Sequence, residues 1–402
     1  MEEKLKIIEA MDTYLPDVDG VINCVHNYCL NLYKKADISV MVPRNKKSYT
    51  DNQPYKIHRC KSMNVPVLNN YYGFPKSDKK FKKEMDAVQA DIIHFNSPFN
   101  MGNYAVSLAK KKNIPVVATF HSNMRPIFKS IVKFDGLTEM MVKSVGRCYK
   151  KCDEVFVCSP LVEKQLRSFG YTGKVTYLPF GTDLPRCENV DELRVQANKE
   201  FGIEENELVL LYVGRIMKLK RIDFILKSLK LVKDRDIKFK FYVVGKGPDL
   251  KKLKSLAKKL GFTEKEVIFT GFISRELFPL INARADLLCF PSLYDNFGLV
   301  KVEAAAYNTA GVFINNSCAG YGVTDGVNGY LSENTTQDFA EKIIQAVSDR
   351  DKLREVGENA SRDLYISWSD CSDLLLKRLT EIVKEHKEKE MSKNAKNNKN
   401  EE

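Results

Sequence analysis

The chain has 402 residues, of which 44% are hydrophobic and 29% charged. That is the balance of a soluble globular protein of about two or three domains, and it excludes wholesale disorder. The formal charge is +12, and it is uneven: residues 1–190 hold 29 Lys+Arg against 19 Asp+Glu, whereas 191–402 hold 35 against 33.

A positive field over the first half draws anions, whether nucleic acid, acidic lipid headgroups or phosphorylated substrates. No nucleic-acid-binding module is recognisable, so nucleic acid is not expected as a partner. No run reaches the ~18–20 apolar residues of a membrane span. The ten cysteines form no C-x-x-C pair and no Cys/His set with zinc spacing. They read as reduced, buried thiols of a cytoplasmic protein. The opening MEEKLKIIEAMD reads as a first strand and not as a signal peptide.

In chain order, short apolar runs alternate with helical stretches. KLKIIEAM, ADISVMVP, ADIIHFN, IPVVATF, DEVFVCS and KVTYLP read as buried parallel strands, with GVINCVHNYCLNLYKK and NYAVSLAKKK among the helices between them. The rhythm repeats in LVLLYVG, KFYVVG, VIFTG, ADLLCFPS and GVFINN, with FILKSLKLVKD and DLKKLKSLAKKLG between. Two such series predict two Rossmann-like, doubly wound α/β domains. The expected N-domain is 1–186 and the C-domain 187–365, with the linker near PFGTDLPRCENVDE. A C-terminal helix over 366–386 packs back toward the N-domain. Residues 387–402, rich in Lys, Glu and Asn, are expected as a disordered tail.

Ligands of such sheets bind at the carboxyl ends of strands. Arg215 and Lys220 follow LVLLYVG and could hold a diphosphate from two sides, although on spacing alone a solvated basic turn explains them equally well. Asp295 lies in the loop after Pro291, and Glu303 lies on the helix that follows. They could grip two hydroxylated parts of one ligand, but a capped helix also accounts for them. Asp17-x-Asp19 and Asp234-x-Asp236 match a short metal motif that arises easily by chance, and no metal site is expected. Gly245-Lys246-Gly247 lacks the G-K-[ST] of an ATPase loop. His26, His58, His94 and His386 default to structural roles.

The segment FPSLYDNFGLVKVEAAAYNTAG resembles the signature of retaining glycosyltransferases of the GT-B fold, family 4. In order around it stand YLPDVDGVIN, ADIIHFNSPFNMGNYAVSLAKKKNIPVVATFHS, CDEVFVCSP, LPFGTD, YVGRIMKLKRID, YVVGKGPDLKKL, VIFTGFIS and TDGVNGYL. The resemblance covers nearly all of the chain before the tail. It implies two Rossmann-like domains facing across a cleft, with the C-domain taking a nucleotide sugar (a UDP-sugar) and the N-domain a lipid or saccharide acceptor.

It further implies roles for single residues. Gly20 and Gly214 let the backbone approach the donor, His121 faces the transferred sugar, and Arg215 and Lys220 stabilise the leaving diphosphate. Phe272 meets the nucleobase, and Asp295 binds sugar hydroxyls. Phe297, Gly298, Leu299 and Val300 offer amides, and Glu303 holds the ribose. No metal or other cofactor is implied. The sequence departs from the pattern at Asp295, where Glu is commoner, at Leu219 and Arg221, which replace a Glu and a Gly, and at Asp19-Gly20, where two glycines are usual. Two alternatives share this architecture: a nucleotide-sugar 2-epimerase and a non-catalytic binding protein.

Within 123–152, apolar Ile127, Phe128, Ile131, Val132, Leu137, Met140, Met141 and Val145 interleave with Arg125, Lys129, Lys133, Lys143, Arg147, Lys150 and Lys151. One reading is a basic amphipathic surface on anionic lipid, at the inner face of the plasma membrane. The other is ordinary helices with a solvated basic face. Similarity to lipid glycosyltransferases supports the first.

Overall fold

The computed structural model describes residues 4–17, 19–45, 49–65, 70–121, 123–132 and 134–400. The chain divides into two units. One runs to Phe180 and resumes at Trp368, and the other spans Gly181–Ser367.

The first unit begins with β1 (Lys6–Ala10), α1 (Gly20–Leu32), β2 (Asp37–Pro43), β3 (Lys56–Cys60), β4 (Ser62–Val65) and β5 (Asn70–Gly73). It continues with α2 (Lys79–Ala87), β6 (Ile92–Phe95), α3 (Asn100–Lys112), β7 (Val116–Thr119), α4 (Arg125–Val132) and α5 (Asp135–Tyr149). Then come β8 (Glu154–Val157), α6 (Pro160–Ser168) and β9 (Lys174–Tyr177). Seven strands form a parallel sheet in the order β3-β2-β1-β6-β7-β8-β9. β6, β7 and β8 are buried along their whole length, because helices cover both faces and Val/Ile-rich runs tolerate that environment. Helix starts are set locally. Asp19, Asp78 and Ser159 cap α1, α2 and α6 through their side chains.

The second unit follows the same plan with α7 (Val190–Phe201), β10 (Val209–Val213), a 3-10 turn at Lys218–Lys220, α8 (Ile222–Lys233), β11 (Lys240–Val244) and α9 (Leu250–Lys259). Next are β12 (Val267–Gly271), α10 (Leu277–Arg284), β13 (Leu287–Phe290), α11 (Leu299–Ala305), β14 (Ala310–Ile314), β15 (Tyr330–Ser332), α12 (Thr336–Ser348) and α13 (Arg350–Asp363). Its six-stranded parallel sheet has the order β12-β11-β10-β13-β14-β15. At the amino edge, fully buried Arg284 is neutralised by Asp286 at 3.2 Å and donates to Glu207 O at 2.7 Å. Asp286 also accepts from Val209 N, which ties the starts of β10 and β13 together.

Two boundaries differ from expectation, while the C-terminal helix packs on the first unit as expected. The chain enters the second unit after Phe180 and not at 187, because 181–187 already packs there. Thr182 N donates to Ile366 O, Cys187 N donates to Ala306 O, and Leu184 clusters with Ala283, Ala306 and Tyr307. The last helix, α14 (Trp368–Asn400), belongs to the first unit. Trp368 meets Tyr28 of α1 edge-on at 5.3 Å, and Arg378 grips buried Glu154 of β8 at 2.7 and 2.9 Å. Residues 387–400, expected to be a disordered tail, continue this helix. His386 reaches Asn113 O at 3.2 Å, and Glu390 holds Lys393 and Asn113. Counted by these units, the charge lies almost wholly in the first, with 36 Lys+Arg against 25 Asp+Glu, compared with 28 against 27 in the second.

Candidate active site

In the second unit, chain order reverses direction in the sheet between β10 and β13, which makes the loops after these strands the flanks of a ligand crevice. Gly214 ends β10 at φ 146°, where a Cβ would lie 2.9 Å from the Tyr212 hydroxyl. Gly245 ends β11 at φ 141°, and a Cβ there would fall 2.0 Å from Gly214 O. The G-K-G run is therefore a close-packing device between strand ends and needs no phosphate-loop reading.

Across the switch point, Lys220 Nζ pairs with Asp295 Oδ1, both side chains being about four-fifths buried. Lys220 also stands 5.8 Å from the centre of the Phe290 ring. The second carboxylate oxygen, Asp295 Oδ2, is buried with no hydrogen-bond partner among the described residues, and so is Ser292 Oγ at the start of the same loop. Buried polar atoms are almost always satisfied, so a water or a ligand is left to complete these two. The Tyr212 hydroxyl donates to Arg215 O at 3.2 Å, and burial, with Asp295 nearby, keeps it firmly protonated. Arg215 is exposed, with no ion pair among the described residues.

Glu303 lies one helix away on α11. Burial, reinforced by Asp183, lifts its carboxyl to about 7, and it makes no hydrogen bond or ion pair among the described residues. Gly298 precedes α11 in the left-handed region at φ 73°, between Phe297 and the helical Leu299 and Val300. Phe272, after β12, is 75% exposed with Lys246 Nζ 5.9 Å above its ring. Lys301 was not singled out from sequence. It is buried, and its Nζ donates to Ala319 O at 2.9 Å and to Tyr321 O at 2.5 Å, which pins the loop after β14 onto α11. Its one signal was a lysine inside the apolar run LVKVEA.

Gly20 and His121 belong to the first unit. Gly20 opens α1 with open space around it, and the Asp19 carboxylate already accepts from Val21 N and Ile22 N at 2.8 Å each. Those two amides are therefore not available to a phosphate while Asp19 stays in place. Of the D-x-D matches, Asp17 accepts from Asn45 and Asp234 pairs with Lys230.

His121 closes a chain of buried polar groups at the β1/β6 switch point. Glu9, fully buried in β1, accepts from His94 Nδ1 at 2.9 Å and from Asn96 Nδ2 at 2.8 Å. His94 Nε2 meets Thr119 Oγ1 at 2.7 Å, and Asn96 Oδ1 meets His121 Nε2 at 2.7 Å. A carboxylate only accepts, so Asn96 must turn its amide nitrogen to Glu9 and its oxygen to His121. His121 therefore donates from Nε2. Burial, aided by His94, drops its pKa to about 3, so the ring is neutral near pH 7. It stacks on Phe180 at 5.4 Å and 13°. Glu9, His94 and Asn96 went unnoticed in the sequence, because nothing local distinguishes them from other strand residues.

The basic segment is less cationic than expected. Arg125 pairs with Glu139, and Lys129 pairs with Asp135 at 3.0 Å. Lys143, Arg147, Lys150 and Lys151 are exposed, and Lys133 lies outside the described residues. Val142, Val145 and Phe128 face inward, whereas Ile127, Ile131, Leu137, Met140 and above all Phe134 (74% exposed) face outward.

Two doubly wound parallel sheets in one chain are the architecture of the GT-B fold. The family profile for Glycosyltransferase Family 4 matches residues 18–186, and the one for Glycosyl transferases group 1 matches 194–363. The chain belongs to this family of glycosyltransferases. It is 28% identical to the alpha-monoglucosyldiacylglycerol synthase of Streptococcus pneumoniae over 74% of this chain and 68% of that one. It is 25% identical to the enzyme of the same name from Acholeplasma laidlawii, over 87% and 90%. Among solved structures, Anabaena HepE in complex with UDP shares the fold at a TM-score of 0.75 and 17% identity, covering 94% of this chain and all of that one.

Proposed function

We propose that the chain is a retaining, metal-independent glycosyltransferase that moves a hexose from a UDP-sugar to a hydroxyl of a lipid or saccharide at the cytoplasmic face of a membrane. The observation that carries this reading is Asp295, whose Oδ1 holds Lys220 while Oδ2 stays buried and unpartnered. A donor diphosphate would take Lys220 from Asp295, with Arg215 as a second cation. The released carboxylate would then accept from sugar hydroxyls. Glu303, near its proton's midpoint when empty, would ionise on accepting from the ribose hydroxyls.

In the reaction, the bond from the anomeric carbon to the β-phosphate oxygen breaks and the acceptor oxygen bonds on the same face. The departing phosphate oxygen receives the acceptor's proton. His121, in the first unit, is neutral near pH 7 and carries no competing charge. The barrier falls through positioning and through cationic stabilisation of the leaving diphosphate. With Lys220 and Arg215 supplying that charge, EDTA should leave turnover unchanged. The named activity of the two synthases and the UDP held by HepE support the donor and a lipid acceptor. The outward apolar row from Ile127 to Met140 supports shallow membrane contact. Among the described residues no helix is long and apolar enough to cross a membrane.

A donor and acceptor screen reading UDP release tests the proposal, with the anomeric configuration of the product read by NMR. An inverted product would overturn retention. Near-normal turnover in Lys220→Ala would overturn the site.

A further inference from the structure

Arg221 sits where local preferences argue against it. It ends the 3-10 turn and caps α8 in the left-handed region, at φ 57° and ψ 37°, a conformation suited to glycine or asparagine. Its side chain makes no capping bond to α8, as a Ser or Asp there would. The compensation lies across the switch point. Nη1 donates to Pro291 O at 3.0 Å, Nη2 donates to Asn334 Oδ1 at 2.7 Å, and the guanidinium lies 4.1 Å over the Phe224 ring. Pro291 opens the loop that carries Ser292 and Asp295, the two residues with orphaned buried atoms.

We propose that Arg221 is a positioning residue: it straps the β10 loop to the β13 loop and to Asn334, so that Lys220 and Asp295 keep facing each other while their own pairing is exchanged for a ligand. Successive residues divide the work. Lys220 makes the contact that a diphosphate must break, and Arg221 makes contacts that no ligand needs to break. Without the strap, the loop can collapse to satisfy Ser292 Oγ and Asp295 Oδ2 internally, which closes the ligand's place. The inference rests on the donor-site reading above.

Calorimetric titration of UDP into the full-length chain, paired with initial rates of UDP release, tests it. Arg221→Gly fits the backbone better than arginine, so its thermal midpoint should match wild type while UDP affinity and kcat/KM both fall about tenfold. Arg221→Lys keeps the charge, but one ammonium cannot replace the forked guanidinium, so its loss should be as large. In a Lys220→Ala background, Arg221→Gly should add nothing. Asn334→Ala, at an exposed position, should weaken UDP by a smaller factor and serves if Arg221→Gly fails to fold. Wild-type affinity in Arg221→Gly or in Asn334→Ala, full rescue by lysine, or an undiminished effect without Lys220 would each overturn the role. A wild-type chain that binds no UDP would take the donor-site reading down as well. UDP binding lost in Lys220→Ala but intact in Arg221→Gly would remove Arg221's role alone.

Discussion

At its β1/β6 switch point the first unit holds Glu9, His94, Asn96, Thr119 and His121 in one connected chain of hydrogen bonds. At β10/β13 the second unit holds one ion pair beside a buried carboxylate oxygen and a buried hydroxyl that have no partner among the described residues. The topology is the same and the treatment of polar groups is opposite. A satisfied buried network specifies and rigidifies, whereas an unsatisfied one is tolerated only where something else completes it. On this contrast, damage at Glu9 should show in folding and damage at Lys220 should show in ligand chemistry.

The largest expected effect breaks the first half of the contrast. Glu9→Ala leaves the His94 and Asn96 donors buried without their acceptor and should cost about 3–5 kcal/mol of stability in chemical denaturation. A loss below about 1 kcal/mol would mean that the network is not structural. Next, Lys220→Ala should cut kcat/KM by about 10²–10³, with a fall in the unfolding midpoint smaller than that of Glu9→Ala, since the Lys220–Asp295 pair keeps about a fifth of each side chain exposed while Glu9 is fully buried.

A smaller effect is set by pH. The Glu303 carboxyl takes its proton at about 7 in the folded chain, against 4.5 for the free group. The folded state thus binds that proton more tightly than the unfolded state. The resulting stability is fully present below 4.5 and is lost as pH rises from 4.5 to 7. Glu303→Gln should flatten this slope and regain about 2 kcal/mol at pH 8. UDP affinity should move the other way across the same window, strengthening as the carboxylate forms. Affinity that weakens with rising pH would break the assignment to the ribose. Least of all, Phe134→Ser should weaken flotation with anionic liposomes about tenfold. Salt should matter less than the bare lysine count suggests, because Arg125 and Lys129 already hold Glu139 and Asp135. Strong salt dependence with no effect of Phe134 would restore a purely electrostatic surface.

Much of the fold was legible in the residues. β1, β2, β6, β7 and β8 and the core strands β10 to β14 each read as an apolar run, because a strand covered on both faces must be continuously hydrophobic. β3, β15 and the β4–β5 pair were missed. KIHRC is half polar on an edge, and Tyr330–Ser332 is three residues long, so neither carries a periodic signal. The tail misled because a polar segment rich in Lys and Glu is compatible with both disorder and a helix held by a few side-chain contacts. The candidate residues Arg215, Lys220, Asp295 and Glu303 were legible as types at strand ends, and the ordered motifs gave the family.

By itself, then, the sequence determined two α/β series, the elements that end in chemistry, and the excess of positive charge before residue 190, all properties of neighbours along the chain. The tertiary structure alone decided who meets whom. Lys220 finds Asp295 75 residues away, Glu9 finds His94 85 residues away, and Arg221 is explained by Pro291 and Asn334. It also moved the charge boundary to Phe180 and neutralised two of the cations that had suggested lipid. The physical reason is the order of strands in each sheet, which brings β1 beside β6 and β10 beside β13 and cannot be read from spacing.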